Sequence, residues 1–342
     1  MIKQLRKDNH YVPELYLKQW ADTDGVLTYR LLVPNENVGA WKKHSLKGIG
    51  YQKHLYTYWA GGVETDEFEC WLDQEFENPA HEAIRRVVQE DRLEPEHWRR
   101  LVRFALAQDV RTPARLEEFI TRQNSTLKPL MSEIMQHSIH EMEAAMQQNK
   151  PLPTVDIDAV DPFKLFKTSI EPLPEGGEAV KVETIVGRKM WIWTMKWVLT
   201  QTIQKLPRHK WTILHAPPGT SWPTSDNPLI KLNYRDPKNY DTKGGWGVNK
   251  GDILLPLSPK HLLHACIGQK SWPRGTTLTP ETAASIREII IGHAHRYVFA
   301  KEPGDIHLVR PRIVCPDTCK QERAAWDSWH VEQCAAEQAM QA

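Results

Sequence analysis

Apolar positions follow a helical spacing early in the chain and form short, strand-like runs later. Trp98, Leu101 and Ala105 are spaced so that they fall on one face of a helix. Residues 253–257 and 262–267 are instead short apolar runs bounded by turn-forming residues, a pattern typical of strands. Because helices precede a run of strands, we predict an α+β fold, with a helical N-terminal half packed on a mixed, mainly antiparallel sheet from the C-terminal half.

The same pattern shows no internal repeat and predicts one domain over residues 1–342. Its sub-regions are an N-terminal segment with short strands (1–60), a helical region (61–150), a linker-like excursion rich in proline and glycine (151–180), a sheet-bearing region (181–316) and a C-terminal helix (317–342).

Composition and charge narrow the class of protein. Hydrophobic residues make up 40% of the chain and charged residues 25%, which is typical of a folded protein rather than a disordered one. A net charge of +1 argues against a globally basic nucleic-acid binder but allows a local basic patch. No apolar run approaches the roughly 20 residues of a membrane span, and five cysteines form no disulfide framework. We therefore expect a cytoplasmic protein without membrane contact.

The first candidate for chemistry is the segment TSDNP at 224–228, which joins a loop rich in proline and glycine to an apolar run. Short polar side chains before a proline commonly form Asx or ST turns. Alternatively, Ser225, Asp226 and Asn227 display a carboxylate and neighbouring donors at the start of a strand, where a rigid element can hold catalytic groups. Both interpretations stay open.

The second candidate lies on the helix predicted over residues 98–118. Gln108 and Arg111 continue the apolar stripe of Leu101 at helical spacing. An arginine that faces a core must meet an acid or an anion, because an unpaired buried charge is too costly. Arg111 is therefore either half of a structural ion pair or a bidentate anion-binding residue. Pro113 predicts that the helix kinks or ends there.

The third candidate is His10, in the run DNHYVP at 8–13. It could simply satisfy a turn before the short helix predicted at 14–20, which is the commoner role of a lone histidine. It could instead transfer a proton, since an imidazole titrates near neutral pH.

Cys315, Cys319, His330 and Cys334 have the residue types of a zinc site. No helix breaker separates Cys319 from His330, and the eleven-residue step between them spans about 16 Å of helix. Four zinc ligands must each lie within about 2.3 Å of the ion. We therefore predict no metal site, and the sequence identifies no cofactor.

Residues 181–210 carry seven basic side chains against one acidic side chain, interleaved with Trp191, Trp193 and Trp197. Such a segment can follow a phosphate backbone and stack on bases. The spacing of Trp193 and Trp197 also suits one packed face of a helix, with the lysines in solvent on the other face. Nucleic-acid binding through this segment is therefore one alternative function.

Several of these motifs together resemble the domain-of-unknown-function family numbered 4238. The residues that carry the resemblance are HYVP at 10–13, Gln108 with RTP at 111–113, TSDNP at 224–228, PLSP at 256–259 and RYVF at 296–299. The resemblance covers about residues 8–300 and excludes the C-terminal Cys/His residues. It implies a mainly bacterial family and no particular reaction. It also implies that six residues act as a group: His10, Gln108, Arg111, Ser225, Asp226 and Asn227.

A histidine, a carboxylate, an arginine and amide donors together suit general acid–base catalysis on an anionic substrate, with Arg111 as the clamp. We therefore expect a hydrolase or transferase that acts on a phosphate-bearing substrate, a nucleotide or nucleic acid, in the role of a toxin or phage-defence effector. The alternative is a non-catalytic binding module, in which the same residues hold the N-terminal segment against the sheet. The sequence has no phosphate-binding glycine loop, G-x-S-x-G elbow or H-E-x-x-H motif, which disfavours the common hydrolase, kinase and dehydrogenase classes.

Overall fold

The computed structural model describes residues 5–148, 150–151, 163, 165–205, 209–236, 238–306 and 311–340. Its α-helices are α1 (Glu14–Leu17), α2 (Glu67–Leu72), α3 (Asn78–Val88), α4 (Pro95–Val110), α5 (Pro113–Gln147), α6 (Arg188–Trp197), α7 (Ile203–Lys205), α8 (Pro280–His293) and α9 (Pro316–Ala339). Single π-helical stretches connect α2 to α3 (Asp73–Glu77) and α6 to α7 (Val198–Thr202).

The strands are short and spread along the chain. They are β1 (Asp8–His10), β2 (Ala21–Asp22), β3 (Gly25–Arg30), β4 (Leu32–Val33), β5 (Trp41–His44), β6 (Tyr51–Lys53), β7 (Tyr58–Ala60), β8 (Val63–Thr65), β9 (Phe166–Pro172), β10 (Glu178–Thr184), β11 (Trp211–His215), β12 (Thr224–Ser225), β13 (Ile230–Asp236), β14 (Asn239–Asp241), β15 (Asp252–Ser258), β16 (His261–Cys266), β17 (Tyr297–Ala300) and β18 (Arg312–Ile313).

The fold is α+β overall, but the predicted division into a helical N-terminal half and a sheet-bearing C-terminal half is wrong. The strands β1 to β8 all precede α2. One five-stranded sheet is built from both ends of the chain, in the order β12-β17-β3-β2 with β5 also paired to β3. In it, β3 pairs antiparallel with β17. Local periodicity cannot reveal such a pairing, because the two partners lie at opposite ends of the sequence.

The second five-stranded sheet belongs to the C-terminal half and is antiparallel throughout, in the order β11-β16-β15-β13-β14. One of its faces packs against α8, where Ile289 and Ile290 join Leu254 and Leu262 in a buried apolar cluster. A larger apolar cluster contains residues from α2 to α6 together with the N-terminal segment, and it also reaches β15 and β16. Helices therefore pack against the strands: α8 covers one face of the second sheet, and the larger cluster joins α2 to α6 with β15 and β16.

Helix breaks and caps follow from local chemistry. α4 ends at Val110, Thr112 is extended (φ −84°, ψ 156°), and α5 begins with Pro113 at its first position. The ring of a proline disfavours a helical conformation at the preceding residue, which confirms the break predicted at Pro113.

The region predicted to be linker-like contains strands where it is described, and the predicted C-terminal helix is present. Within 151–180, β9 pairs antiparallel with β10, while residues 152–162 and 164 lie outside the described part of the chain. α9 is one uninterrupted helix that contains both Cys319 and His330. None of the described helices combines the length and apolar character that crossing a membrane requires.

Buried hydrogen bonds join the N-terminal segment to β12, β15 and the loop before β12. Tyr16 Oη donates to the carbonyl oxygen of Pro256 and contacts Thr224 Oγ1, both at 2.6 Å. Trp20 Nε1 donates to the carbonyl oxygen of Trp222 at 2.8 Å. Because α1 has only four residues, these contacts and its burial stabilise it rather than its own hydrogen bonds.

We predict that Tyr16→Phe lowers the free energy of unfolding by about 1–3 kcal/mol, because it leaves two buried polar atoms without their partner. Denaturant unfolding of the purified chain measures the change. Tyr240→Phe is the matched control, since Tyr240 is 41% exposed. Equal stability of the two variants would contradict the structural role assigned to the Tyr16 hydroxyl.

Candidate functional site

An open cleft of about 900 Å³ lies where three parts of the chain meet. Residues 48–54 line it from the N-terminal segment, residues 295–297 from the turn between α8 and β17, and Glu322, Arg323 and neighbouring residues from α9. Tyr11 and Asp226 also line it. Through Asp226, this cleft contains a residue from the predicted group of six.

Asp226 is only 3% exposed and holds the turn between α8 and β17. Its Oδ1 accepts the backbone N–H of His295 at 2.9 Å, and its Oδ2 accepts those of Arg296 at 2.7 Å and Tyr297 at 3.1 Å. Burial raises the pKa of Asp226 above its usual range, although these three donors and the charge of His295 oppose that rise. Both carboxylate oxygens of Asp226 therefore accept hydrogen bonds. By binding the backbone N–H groups of His295 and Arg296, Asp226 fixes the position of these two residues at the cleft.

Ser225 and Asn227 complete the turn and do not line the cleft within the described part of the chain. Ser225 Oγ accepts the backbone N–H of Asn227 at 3.2 Å, which is the ST turn that the first interpretation predicted. The side chain of Asn227 lies 2.9 Å from His293 Nε2 and accepts a hydrogen bond from Thr112 Oγ1 at 3.3 Å. The segment therefore links the break between α4 and α5 to the end of α8.

His295 and Glu117 form a histidine–carboxylate pair at the cleft. His295 Nε2 lies 3.3 Å from Glu117 Oε1. The hydrogen bond and charge of His295 lower the pKa of Glu117. If Nε2–H donates to this carboxylate, Nδ1 is left as the nitrogen that can accept a proton. The pair is therefore equipped for general base catalysis.

Three cations that line the cleft have no acidic partner among the described residues: Arg30, Lys53 and Arg323. The Nε atom of Arg30 is buried and makes no hydrogen bond within that part of the chain. Arg296, in contrast, is paired with Glu322 at 2.8 Å. The cleft thus keeps positive charge available for an anion.

Arg111 is completely buried and belongs to a different cluster. Its Nη1 lies 2.6 Å from Glu77 Oε1, and its Nη2 donates to the carbonyl oxygen of His10. The hydroxyl of Tyr56 donates to the carbonyl oxygen of Arg111. The structural ion pair is therefore the interpretation that fits Arg111.

The imidazole of His10 lies beside this cluster. Its Nε2 is 3.7 Å from Glu14 Oε1, and burial together with Arg111 lowers its pKa despite that carboxylate. Neither His10 nor Arg111 lines the cleft within the described residues, whereas Tyr11 does. The guanidinium of Arg111 instead holds the backbone carbonyl of His10, the residue before Tyr11.

Gln108 is fully buried on α4, and neither atom of its amide has a hydrogen-bond partner in the described part of the chain. Its neighbour Asp109 is the centre of a buried network with Lys231 at 2.9 Å, Arg115 at 3.1 Å and Trp246 Nε1 at 2.8 Å. The contacts give Gln108 no chemical role.

The predicted group of six is thus distributed over three places. Asp226 reaches the cleft with Ser225 and Asn227 behind it, His10 and Arg111 share the buried cluster, and Gln108 stands apart. That all six act together stays a prediction. Residue spacing did not link His295 to Glu117, although His295 directly precedes the RYVF motif.

Comparison with known families supports the resemblance drawn from these motifs. A family model described as "Protein of unknown function (DUF4238)" matches residues 8–304, and the chain belongs to this family. The match contains the cleft residues up to the turn at 295–297 and ends before α9. No curated protein and no solved structure matches the chain.

Glu69 gives the Arg111 cluster a pH dependence. Its Oε2 lies 4.0 Å from Arg111 Nη2, and burial raises its pKa from 4.5 to about 8. The folded chain therefore keeps this proton up to about pH 8, whereas the unfolded chain loses it above 4.5. The stabilisation is present below pH 4.5 and is lost as the pH rises toward about 8.

We predict that Glu69→Gln flattens this part of the stability profile, by on the order of 5 kcal/mol between the two limits. Denaturant unfolding at a series of pH values measures the slope. Glu133→Gln, at an exposed position on α5, should keep the slope of the unmodified chain. An unchanged slope in the Glu69 variant would show that Glu69 is ionised at neutral pH in the folded chain.

Proposed function

We propose that this DUF4238 protein is an enzyme, a hydrolase or transferase, that acts on a phosphate-bearing substrate in the cleft. The substrate class is a nucleotide or a nucleic acid. The role of a toxin or phage-defence effector is part of the same proposal.

One observation carries this proposal: a histidine–carboxylate pair lies in the same cleft as three cations that have no acidic partner among the described residues. Catalysis of phosphoryl transfer depends mainly on positioning and on cations that neutralise charge on the phosphoryl oxygens. Arg30, Lys53 and Arg323 can supply those charges. His295 can supply the base, with Asp226 as the positioning residue that holds its backbone.

The chemistry follows from these roles. His295 Nδ1 takes the proton of a water molecule or of a substrate hydroxyl, and the resulting oxygen attacks phosphorus. The bond from phosphorus to the leaving oxygen breaks, and that oxygen takes a proton from the imidazolium or from solvent. Glu117 stabilises the imidazolium meanwhile. Water as the nucleophile makes the enzyme a hydrolase, and a hydroxyl makes it a transferase.

A second candidate function is the non-catalytic binding module. The observation that favours it is the saturation of Arg111 and Asp226 by structural contacts, which leaves neither side chain free to act on a ligand. In that case the cleft binds an anion without turnover. The two candidates share the cations and differ in the role of His295.

The described contacts support nucleic-acid binding through residues 181–210 less well than they support anion binding in the cleft. Arg188 is buried and paired with Glu337 at 2.8 Å, and Lys196 lies 2.9 Å from Glu67. Trp191 is buried, although Trp197 is 51% exposed. Arg188 and Lys196, two of the seven basic side chains, are therefore neutralised locally, and we propose phosphate recognition in the cleft instead.

We predict that His295→Gln lowers turnover by about a hundredfold or more, because it removes the general base. The assay incubates the purified chain with nucleoside triphosphates, nucleoside monophosphates and short single-stranded RNA and DNA, and separates the products by chromatography. His81→Gln, at an exposed position on α3, is the matched control. Turnover of none of these substrates by the unmodified chain, with phosphate binding retained, would favour the binding module.

The cellular role is tested by comparing the unmodified chain with the His295→Gln variant. Expression of the unmodified chain in bacteria should slow growth or lower phage yield, and expression of the His295 variant should not. An equal effect of both chains would separate the phenotype from this chemistry.

We also predict that Arg30→Gln combined with Arg323→Gln weakens binding of inorganic pyrophosphate by about fivefold or more, because two charge-assisted contacts are lost. Calorimetric titration at low and high salt measures the affinity, and the salt dependence should be shallower in the variant. Arg235→Gln combined with Lys238→Gln, both at exposed positions, is the charge-matched control. Unchanged affinity in the double variant would place anion binding outside the cleft.

A further inference from the structure

A second cluster of titratable side chains lies outside the cleft and does not depend on the proposed function. Glu90 follows the end of α3, His215 is the last residue of β11, and His261 is the first residue of β16. The two histidines stand opposite each other in the antiparallel pair of β11 and β16. One ligand atom from each of the three residues lies within 4.8 Å of the other two.

The distances within this cluster suit a shared metal ion better than hydrogen bonds. Glu90 Oε1 lies 3.7 Å from His215 Nδ1 and 3.6 Å from His261 Nε2, beyond hydrogen-bonding range. Two ligand atoms bound to one tetrahedral zinc ion at about 2.1 Å are separated by about 3.4 Å. The two observed separations are close to that value.

His261 has a buried ring nitrogen that lacks a hydrogen-bond partner among the described residues. Its Nε2 has no hydrogen-bond partner in the described part of the chain, and the residue is only 5% exposed. A buried polar atom without a partner is costly, so a ligand at this position would remove the cost. Its Nδ1 lies 2.8 Å from Ser258 Oγ, the kind of contact by which proteins orient a metal-binding imidazole.

Glu90 brings the third ligand from a different element. It has a positive φ of 58°, uncommon for a residue other than glycine, and its backbone N–H is bonded to the carbonyl oxygen of Val87. It is a surface residue, and its side chain is 68% exposed, while that of His215 is 24% exposed. An ion held here is therefore reachable from solvent and leaves room for a water ligand.

A second cluster of possible metal ligands differs from this one, because a buried cation already contacts its atoms. Glu64, His330 and Cys334 also have ligand atoms within 4.8 Å of one another. There, however, the guanidinium of Arg188 lies 3.0 Å from His330 Nδ1 and 3.4 Å from Cys334 Sγ, so a buried cation already serves these atoms. Among the described residues, no lysine or arginine side chain bonds to Glu90, His215 or His261.

We propose that Glu90, His215 and His261 form a site for a divalent transition metal ion, with Zn²⁺ as the ion that two imidazoles and one carboxylate fit best. From the sequence alone we predicted no metal site, and Glu90, His215 and His261 were not among the candidate residues. Only the strand register of β11 and β16 brings the two histidines together.

The test is a titration of the full chain, purified in the presence of a chelator and then exchanged into chelator-free buffer, with Zn²⁺ by calorimetry. We expect one ion per chain and a higher thermal unfolding temperature when the ion is added. Titration with Co²⁺ should produce the visible absorption of a four-coordinate ion. Absence of saturable binding would overturn the proposal.

Variants assign the ligands. Glu90→Gln and His215→Gln should each weaken Zn²⁺ binding by at least about tenfold and abolish the rise in unfolding temperature. Because Glu90 is mostly exposed, its variant should fold normally, which circular dichroism checks, even if His261→Gln does not. Glu64→Gln is the matched control from the other cluster and should bind like the unmodified chain. Loss of binding in the Glu64 variant, with Glu90→Gln unaffected, would place the ion at the wrong cluster and reject the assignment.

Discussion

The buried charge of Arg111 is the constraint on which the N-terminal part of the structure depends. A guanidinium without solvent contact must be neutralised and hydrogen-bonded by the protein itself. Glu77 supplies the charge, the carbonyl oxygen of His10 supplies an acceptor, and Tyr56 returns a hydrogen bond to the Arg111 backbone. Strand β1 and the chain after β6 are therefore held against the end of α4. Tyr11 reaches the cleft because its neighbour is fixed in this way.

The break between α4 and α5 connects this cluster to the cleft. α4 ends at Val110 with Arg111 as its C-cap, and Thr112 is extended. The hydroxyl of Thr112 therefore donates a hydrogen bond to Asn227. Asn227 in turn adjoins Asp226, whose carboxylate holds the turn that carries His295. Motifs that are more than a hundred residues apart in the chain are thus joined by a short series of hydrogen bonds. A single proline, Pro113, makes this possible by preventing a continuous helix.

Sequence patterns predicted the features that depend on local physics. The helical character of residues 98–118, the interruption at Pro113, the antiparallel strands of the C-terminal half and the long final helix all follow from spacing and breakers, although the structure divides 98–118 between two helices. The sheet that joins β3 to β17 does not, because its pairing is decided by packing between distant segments. For Asp226 the sequence left a turn and a displayed carboxylate as alternatives. In the structure, Ser225 forms the ST turn with Asn227, while both carboxylate oxygens of Asp226 accept backbone N–H groups of residues 295–297. Hydrogen-bond direction of this kind cannot be inferred from residue spacing.

α9 lines the cleft from outside the residues that match the family. The family match ends at residue 304, whereas Glu322, Arg323 and Trp326 on α9 line the cleft. The shared region of the family therefore builds the turn, the histidine and the N-terminal wall, and a helix outside it closes the remaining side. In this chain, the size of the opening and one of its three available cations come from a segment that the family as a whole does not define. Under the proposed function, the general base lies inside the family match, and part of the anion-binding charge lies outside it, on a single helix.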